Sequence, residues 1–408
     1  MVVPKLRFKE FDNQWDKTTI NDQAKTVTSG SRDWAQYYSE SGDKFIRMTN
    51  LVRDGIYLDL SDLKFVQLPK DSNEGKRTSL KFGDILISIT AELGKLGWIS
   101  EGLGTAYINQ HTALVRMKDS VDSKFVAYSL STEKYNNKLN SLNDSGAKAG
   151  LNLGTIRNFE LIVPPKEEQT KIASFLSAMD EKISQLNQKH ALLSQYKQGM
   201  MQKLFSQQIR FKADDGSEFG EWEDKTIEQI ANFRRGSFPQ PYGLPEWLDS
   251  NGFPFVQVYD VSDKMLLKER TKIKISQLAA DQSVFAKQGT LIITIQGSIG
   301  RIAKMQYDAY VDRTLLIFQS YNCEVDVDYF KYALFLLFNI EKERAEGAII
   351  KTITKETLSK FIVQLPCLEE QTKIANFLSA IDQKIEVVAQ QIEQAKTWKK
   401  GLLQQMFV

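Results

Sequence analysis

The feature that most constrains this chain is a heptapeptide that occurs twice. The letters EEQTKIA occupy residues 167–173 and return at residues 369–375, an offset close to half of the 408 residues. The flanking segments match as well, since SFLSAMDEKI at 174–183 corresponds to NFLSAIDQKI at 376–385. A repeat at this spacing indicates that one structural unit is present in two copies. Each copy consists of a loosely matched globular stretch followed by a closely matched tail.

The tails carry apolar residues at alternating steps of four and three. The series runs through residues 172–204 in the first copy and 374–406 in the second, and its clear breaks are His190, Lys197 and Lys399. A period of about 3.5 residues over several heptads is typical of a coiled coil. His190 corresponds to an isoleucine in the second copy, which favours a tolerated polar position over a metal ligand or a catalytic base.

Each tail begins just after a proline and has two glutamates in its first turn, where they complement the helix dipole. The sequence therefore predicts a long helix in each copy. Because the second globular stretch begins where the first helix ends and itself leads into the second helix, we expect the two helices to pair antiparallel.

The globular stretches contain short β-branched apolar runs, such as 84–90, 112–117 and 291–295, which predict strands. One helix per domain is predicted to follow an N-cap aspartate, Asp122 or Asp326. The predicted fold class is α+β, with two similar domains separated by two long helices that form a pseudo-twofold symmetric, antiparallel coiled coil. The predicted segments are domain 1 at 1–164, helix 1 at 165–208, domain 2 at 209–365 and helix 2 at 366–408.

Composition limits the classes of protein that need to be considered. The chain is 42% hydrophobic and 25% charged, with a net charge of +2 and two cysteines, which is typical of a globular protein from a reducing compartment. Its first residues carry charge throughout, and its longest apolar run, at 333–338, is too short to span a bilayer. We expect a cytoplasmic protein.

Motifs that would indicate catalysis are missing from the sequence. It contains no G-x-x-x-x-G-K-[ST] phosphate loop, no H-E-x-x-H and no C-x-x-C, and His111 and His190 are its only histidines. A histidine-based metal site or catalytic triad is therefore not predicted. We interpret the chain as non-catalytic, with no metal and no cofactor of its own.

Polar loops that combine cations, amides and aromatic residues recur at matching places in both copies. Arginine, lysine, asparagine and glutamine are the side chains that bind base edges and phosphates, although solvated surface is the alternative for any single loop. The candidate DNA-binding residues of the first copy are Arg32, Trp34, Tyr37, Asn109, Gln110, His111, Lys148 and Asn152. Those of the second copy are Arg234, Arg235, Gln257, Tyr259, Gln296, Ser298, Arg313 and Lys351.

Over its whole length the sequence resembles the specificity subunits of type I restriction-modification enzymes. The resemblance rests on the strand GDILIS at 83–88, on YINQHTA at 107–113, on PPKEEQTKIASFLSAMDEKI at 164–183 with its second copy, and on the repeated opening motif. The residues of that opening are Arg7, Phe8, Phe11 and Trp15, and again Arg210, Phe211 and Trp222.

The resemblance implies two target-recognition domains, each of which reads one half of a bipartite, asymmetric site in double-stranded DNA. It further implies that the helices bind two methyltransferase subunits, with restriction subunits in the full complex and S-adenosylmethionine on the methyltransferases. Because the two helix starts are nearly identical beside divergent domains, we predict that the docking residues are Glu168, Gln169, Glu370 and Gln371. The alternative for these residues is that glutamates and glutamine simply open a helix.

Two other classes of function stay open. A duplicated coiled-coil scaffold that binds only proteins would have weak affinity for duplex DNA, independent of salt and sequence. A self-sufficient DNA enzyme would need a cofactor loop, and methyl transfer by the purified chain alone would identify it.

Overall fold

The computed structural model describes residues 3–70, 73–142, 150–344 and 354–407. The chain divides into two compact units. Unit 1 consists of Met1–Gln188 together with Ala389–Val408, and unit 2 consists of Lys189–Val388. The boundary between the units falls within both long helices, so each unit contains one globular domain and a part of each helix.

The first half of the chain begins with short strands and ends with a helix of 40 residues. Its strands and helices are β1 (Asp16–Thr19), α1 (Ile20–Gln23), β2 (Ala24–Ser29), β3 (Tyr38–Ser39), β4 (Asp43–Ile46), β5 (Lys64–Val66), β6 (Ile85–Ser88), β7 (Leu96–Trp98), β8 (Ala106–Ile108), β9 (Thr112–Met117), α2 (Ser123–Ser131), α3 (Glu133–Ser141), α4 (Leu153–Arg157), β10 (Glu160–Val163) and α5 (Lys166–Phe205).

The second half has a similar order of elements and ends with a helix of 39 residues. Its strands and helices are β11 (Glu223–Thr226), α6 (Ile227–Ile230), β12 (Ala231–Arg235), β13 (Leu248–Val256), β14 (Ile273–Ile275), α7 (Gln277–Ala280), β15 (Val284–Ala286), β16 (Leu291–Thr294), β17 (Ile302–Lys304), β18 (Ala309–Val311), β19 (Leu315–Tyr321), α8 (Val327–Arg344), α9 (Lys355–Ser359), β20 (Ile362–Leu365) and α10 (Leu368–Met406). The second half has the additional short helix α7, and one helix, α8, takes the place of α2 and α3.

Each unit contains three sheets, and three strands of the second sheet are arranged alike in both units, as β5-β4-β8 and as β14-β13-β18. In unit 1 an antiparallel sheet has the strand order β2-β9-β6-β7, a second sheet has the order β3-β5-β4-β8, and β1 pairs with β10. In unit 2 the orders are β12-β19-β16-β17 and β14-β13-β18-β15, and β11 pairs with β20. The fourth strand of the second sheet differs, because β3 pairs with β5 in unit 1 whereas β15 pairs with β18 in unit 2. The second sheet of each unit contains one parallel pair, β4 with β8 or β13 with β18. The mixture of sheets and helices in two similar domains confirms the predicted α+β class.

The core of unit 1 has two layers that meet at the central strand β6. Ile85 and Ile87 contribute to a cluster that contains residues of α2, α3 and α5, whereas Leu86 points into a cluster shared with the second sheet. This alternation follows from the period of two along a strand. Strand β9 spans the predicted residues 112–117, which confirms that prediction.

The long helices enter both cores in antiparallel order. In unit 1 the start of α5 and the end of α10 line one cluster, through Leu176 and Met406 among others. In unit 2 the end of α5 and the start of α10 do the same, through Leu204 and Leu378. Antiparallel pairing of the helix segments is therefore confirmed within each unit.

One helix prediction needs correction. Asp122 caps α2 and Asp326 caps α8, as predicted, because each carboxylate accepts from backbone N–H groups of the first turn. The segment after Asp122, however, forms two helices rather than one. Thr132 lies between them with an extended backbone and caps α3 by accepting from the N–H of Tyr135.

Candidate nucleic-acid interface

Two polar loops of unit 1 are held side by side by a close backbone crossing at Gly30. A Cβ atom added at Gly30 would lie 2.1 Å from the carbonyl oxygen of Ile108, so only glycine permits this approach. The next residue, Ser31, forms a parallel β-bridge with Asn109. The loop that follows β2, with the exposed Arg32, therefore lies beside the loop between β8 and β9.

His111 connects the second of these loops to the end of β6. Its Nδ1 lies 2.9 Å from the hydroxyl oxygen of Thr90, and its Nε2 lies 3.0 Å from the amide nitrogen of Gln110. Because an amide nitrogen only donates, Nε2 accepts that bond and Nδ1 donates its proton to Thr90. Thr90 also forms a β-bridge with Gly150, so the segment that contains Asn152 reaches the same edge of the unit.

Unit 2 repeats the crossing at Gly236, where an added Cβ would lie 2.1 Å from the carbonyl oxygen of Val311. It brings the exposed arginines 234–235 at the end of β12 to the loop between β18 and β19. That loop reads DRT at 312–314, where unit 1 reads NQH at 109–111. The two units thus present different polar groups on the same backbone arrangement.

Strands β13 and β16 of unit 2 also end beside this loop. Its first residue, Asp312, donates its backbone N–H to the carbonyl oxygen of Val256 at 3.0 Å. Its last residue, Thr314, accepts at its carbonyl from the N–H of Ile295 at 2.9 Å. The predicted residues that follow these two strand ends are Gln257, Tyr259, Gln296 and Ser298.

The start of each long helix is fastened to its domain by a buried ion pair. Both oxygens of Glu168 accept from Arg7, whose Nε and Nη2 each lie 2.7 Å away, and this hydrogen bonding raises the pKa of Arg7. In unit 2, Arg210 donates to Glu370 at 3.1 and 2.7 Å, and the indole N–H of Trp222 donates to it at 3.0 Å. Neither glutamate side chain has any exposed surface.

The glutamine that follows each glutamate ties the helix start to a domain helix. Gln169 accepts from the backbone N–H of Asp122 at 2.9 Å, and Gln371 accepts from that of Asp326 at 2.9 Å. Each amide also donates to a proline carbonyl just before the helix, at 2.7 or 2.8 Å. Because these polar atoms are used internally and the side chains are buried, the structure corrects the prediction that a partner touches Glu168, Gln169, Glu370 and Gln371. The near-identity of the two helix starts is explained by one packing arrangement that occurs twice.

A family model described as the type I restriction modification DNA specificity domain matches residues 13–195 and 220–397. The chain belongs to this family. The two matched segments correspond to two target-recognition domains, one in each half of the specificity subunit. The predicted resemblance is therefore confirmed.

Relatives of known sequence and structure agree with this assignment. A protein of Methanocaldococcus jannaschii that is named provisionally as the type I restriction enzyme MjaX specificity subunit is 25% identical, over 98% of this chain and 94% of its own. The MjaVIII specificity subunit of the same organism is 25% identical over 60% of each chain. The crystal structure of a type I restriction-modification S subunit from M. genitalium aligns over 100% of this chain and 99% of its own, with a TM-score of 0.64 at 17% identity. The specificity subunit shares that fold.

Among the predicted DNA-binding residues, Trp34 needs correction. Its side chain is only 3% exposed and packs with Phe45, Val66 and the ring of Tyr107, so it cannot stack on a base. The half-buried Tyr37 packs against the same cluster. The apolar area that these rings bury against the second sheet accounts for their place in the loop.

Three further residues of the specificity subunit were predicted to bind DNA, namely Lys148, Asn152 and Lys351. Asn152 is exposed, and its side chain caps α4 by accepting from the N–H of Thr155 at 2.8 Å. Lys148 and Lys351 lie outside the described residues. In the parts of the chain that the structure describes, no helix has both the length and the apolar character needed to cross a membrane.

The sequence analysis did not select Arg77, an exposed cation of unit 1 that lies beside the crossing at Gly30. The exposed Arg77 donates to the carbonyl oxygen of Ser29 at 3.0 Å and to the hydroxyl of Thr28, so its guanidinium lies along the end of β2 beside Gly30. The signal available in the sequence was GKRT at 75–78, in which two cations follow a glycine.

Proposed function

We propose that this specificity subunit directs a type I restriction-modification complex to a bipartite, asymmetric site in double-stranded DNA. Each target-recognition domain reads one half-site. The observation that carries the proposal is the repeated glycine crossing, at Gly30 and Gly236, beneath loops of different chemistry. A common backbone arrangement presents its loops in the same way, whereas different side chains select different bases.

A DNA-binding surface positions the duplex through its phosphates and recognises the sequence through its bases, and the exposed polar groups suit both tasks. Arg32, Arg77, Arg234 and Arg235 are cations of the kind that bind phosphates and position a duplex. The β8–β9 loop of unit 1 has the amides of Asn109 and Gln110 and the imidazole of His111, whereas the β18–β19 loop of unit 2 has the guanidinium of Arg313. Asparagine and glutamine pair with adenine and arginine pairs with guanine, so the half-sites should differ in sequence.

The helices dock two methyltransferase subunits, one at each helix start. The side chains of Glu168, Gln169, Glu370 and Gln371 are buried and hydrogen-bond within the chain. The methyltransferase subunits therefore bind at other positions of the helices, which are identical in the two copies and exposed in both. Glu167 and Ala178 on α5 meet this condition, with Glu369 and Ala380 on α10 as their counterparts. The chain itself performs no catalysis and holds no cofactor, and S-adenosylmethionine belongs to the methyltransferases. Restriction subunits complete the complex.

Methylome sequencing of a host that carries this chain and its methyltransferase tests the proposal. We expect one asymmetric motif of two half-sites whose centres lie about one helical turn, ~10 base pairs, apart. A continuous or palindromic motif would contradict the proposal. Affinity for duplex DNA that is weak and independent of salt and sequence would instead indicate a scaffold that binds proteins only.

A further inference from the structure

Arg313 lies in the β18–β19 loop of unit 2, at the position that Gln110 occupies in unit 1. Its side chain is exposed, and its guanidinium carbon is 4.8 Å from the centre of the Tyr242 ring. A guanidinium that lies over a ring in this way is held by cation–π attraction. The contact limits the orientations of a side chain that would otherwise be flexible.

Tyr242 is itself held in place by Asp312. Its hydroxyl donates to Asp312, and burial, together with that carboxylate, raises the pKa of Tyr242, so the phenol stays protonated at neutral pH. Asp312 is 2% exposed and also accepts from the backbone N–H and the hydroxyl of Thr314, at 2.9 and 2.5 Å. A fully bonded buried carboxylate gives the ring, and therefore Arg313, a rigid support.

We propose that Arg313 reads a guanine of the second half-site through its N–H edge, and that Tyr242 and Asp312 are its positioning residues. The inference rests on the proposed DNA-recognition function. A guanidinium whose face is covered by a ring keeps its in-plane donors for a coplanar partner with two acceptors. The O6 and N7 atoms of guanine form that pair of acceptors in the major groove.

The neighbouring cations lack this support. Arg234 and Arg235 lie on β12, and the Nε of Arg234 donates to the backbone carbonyl of Arg235 at 3.3 Å. Within the described residues neither guanidinium lies over an aromatic ring as that of Arg313 does, so these arginines are better suited to phosphates than to a base edge. Gln110 offers a matched comparison in unit 1, because it occupies the equivalent loop position without a guanidinium.

The test uses the full chain in complex with its methyltransferase and duplexes of the site found by methylome sequencing. Each guanine of the second half-site, on either strand, is replaced in turn by 7-deazaguanine, which lacks the N7 acceptor. We expect the wild-type complex to lose about ten- to a hundredfold in affinity at one position. Arg313→Ala should bind the unmodified site more weakly by a similar factor and should lose nothing more at that position, because the alanine side chain has no donor for N7. Tyr242→Ala should reduce the same discrimination, and the salt dependence of binding should not change.

The outcomes separate this inference from the proposed function. If the wild-type complex shows no sequence-specific binding, the proposed function fails. If it binds specifically but tolerates 7-deazaguanine everywhere, or if the second half-site has no G·C pair, only the assignment of Arg313 fails. These wild-type measurements do not depend on the folding of any variant. Gln110→Ala serves as the control and should alter preference in the first half-site alone.

Discussion

Lys399 of α10 forms an ion pair with Asp180 of α5 inside unit 1, and both side chains are largely buried. The other oxygen of Asp180 accepts from the hydroxyl of Tyr128 on α2 at 2.5 Å. The hydroxyl is a reliable donor because burial raises the pKa of Tyr128 far above its ordinary value. The aspartate thus joins both long helices to the domain.

The same arrangement occurs in unit 2. Lys197 of α5 donates to Asp382 of α10 at 2.5 Å, and Tyr332 of α8 donates to the same carboxylate at 2.7 Å. Burial lowers the pKa of Lys197, and the hydrogen bond with Asp382 opposes that shift. Polar pairs at seam positions fix the register of helices that apolar contacts alone would leave free to slide.

Removal of Lys399 should destabilise unit 1, because Asp180 would keep a buried charge without its cation. We expect Lys399→Met to lower the free energy of unfolding by about 3 kcal/mol. Adding Asp180→Asn should recover part of the loss, because the charge disappears and Tyr128 keeps an acceptor. Urea denaturation measures both. Lys189→Met, at an exposed helix position, is the control and should change little.

A truncated chain of residues 1–208 should form a homodimer. Its core lacks Leu402, Met406 and Phe407, which complete unit 1 in the whole protein. A second copy running antiparallel can fill the gap with its Met200, Leu204 and Phe205, the corresponding residues of the repeat, through an isologous contact. The dimer should be weaker than the intramolecular pair because the covalent link is lost.

Analytical ultracentrifugation at micromolar concentration tests the dimer, and Leu204→Asp should abolish it. With methyltransferase subunits, the dimer should methylate an inverted repeat of the first half-site at an unchanged gap. A well-folded monomer, or methylation of the original asymmetric site, would show that the duplication argument is wrong.

Docking through the exposed face of the helix start predicts a change in stoichiometry. Glu167→Arg combined with Ala178→Arg places two bulky cations on α5 and should prevent one methyltransferase subunit from binding. Native mass spectrometry should then show a complex with a single methyltransferase. The corresponding variant on α10, Glu369→Arg with Ala380→Arg, should prevent binding of the other methyltransferase subunit in the same way. Unchanged assembly in both variants would exclude this face.

The arginines of β12 should contribute to the salt dependence of DNA binding. Each phosphate contact contributes about 0.9 to the slope of log K against log salt, so Arg234→Ala and Arg235→Ala should each lower the slope by about one unit. Lys225, in the two-stranded sheet of unit 2, is the control, and its alanine variant should keep the wild-type slope. Equal slopes in all variants would place the phosphate contacts elsewhere.

Asp328 should make the stability of unit 2 sensitive to acid. Burial alone would raise its pKa, but hydrogen bonds from Lys304 and Lys331 outweigh that effect and hold the pKa below the ordinary value of 3.8. A carboxyl group whose pKa is lower in the folded chain than in the unfolded chain stabilises the fold at pH values above its unfolded-state pKa. This stabilisation is lost as the pH falls through the folded-state pKa. Asp328→Asn should therefore cost about 1–2 kcal/mol at pH 7 and less below about pH 4. Thermal melts across this range measure the difference, and Asp54→Asn, at an exposed position of unit 1, is the control and should show no comparable trend.

The sequence was sufficient for those features that depend on local pattern. Duplication is visible as repeated letters, the long helices as an apolar period of about 3.5 residues, and the helix starts after Asp122 and Asp326 as N-cap chemistry. These signals act between residues a few positions apart, so they are read without any knowledge of distant partners. The loops that we propose to bind DNA were chosen from the same kind of local signal, because cations, amides and glycines cluster there in both copies, and their contact with DNA stays a prediction.

Tertiary structure decided what each of those residues touches. Lys197 and Lys399 look like interruptions of the seam, and only the folded chain places an aspartate of the other helix beside each. Glu168 looks like a surface residue of a helix start, yet it is buried against Arg7, about 160 positions away in the chain. Trp34 shares its loop with exposed polar residues but lies in a small core. Burial and ion pairing depend on which segments meet across long separations, and the local period of a sequence carries no information about that choice.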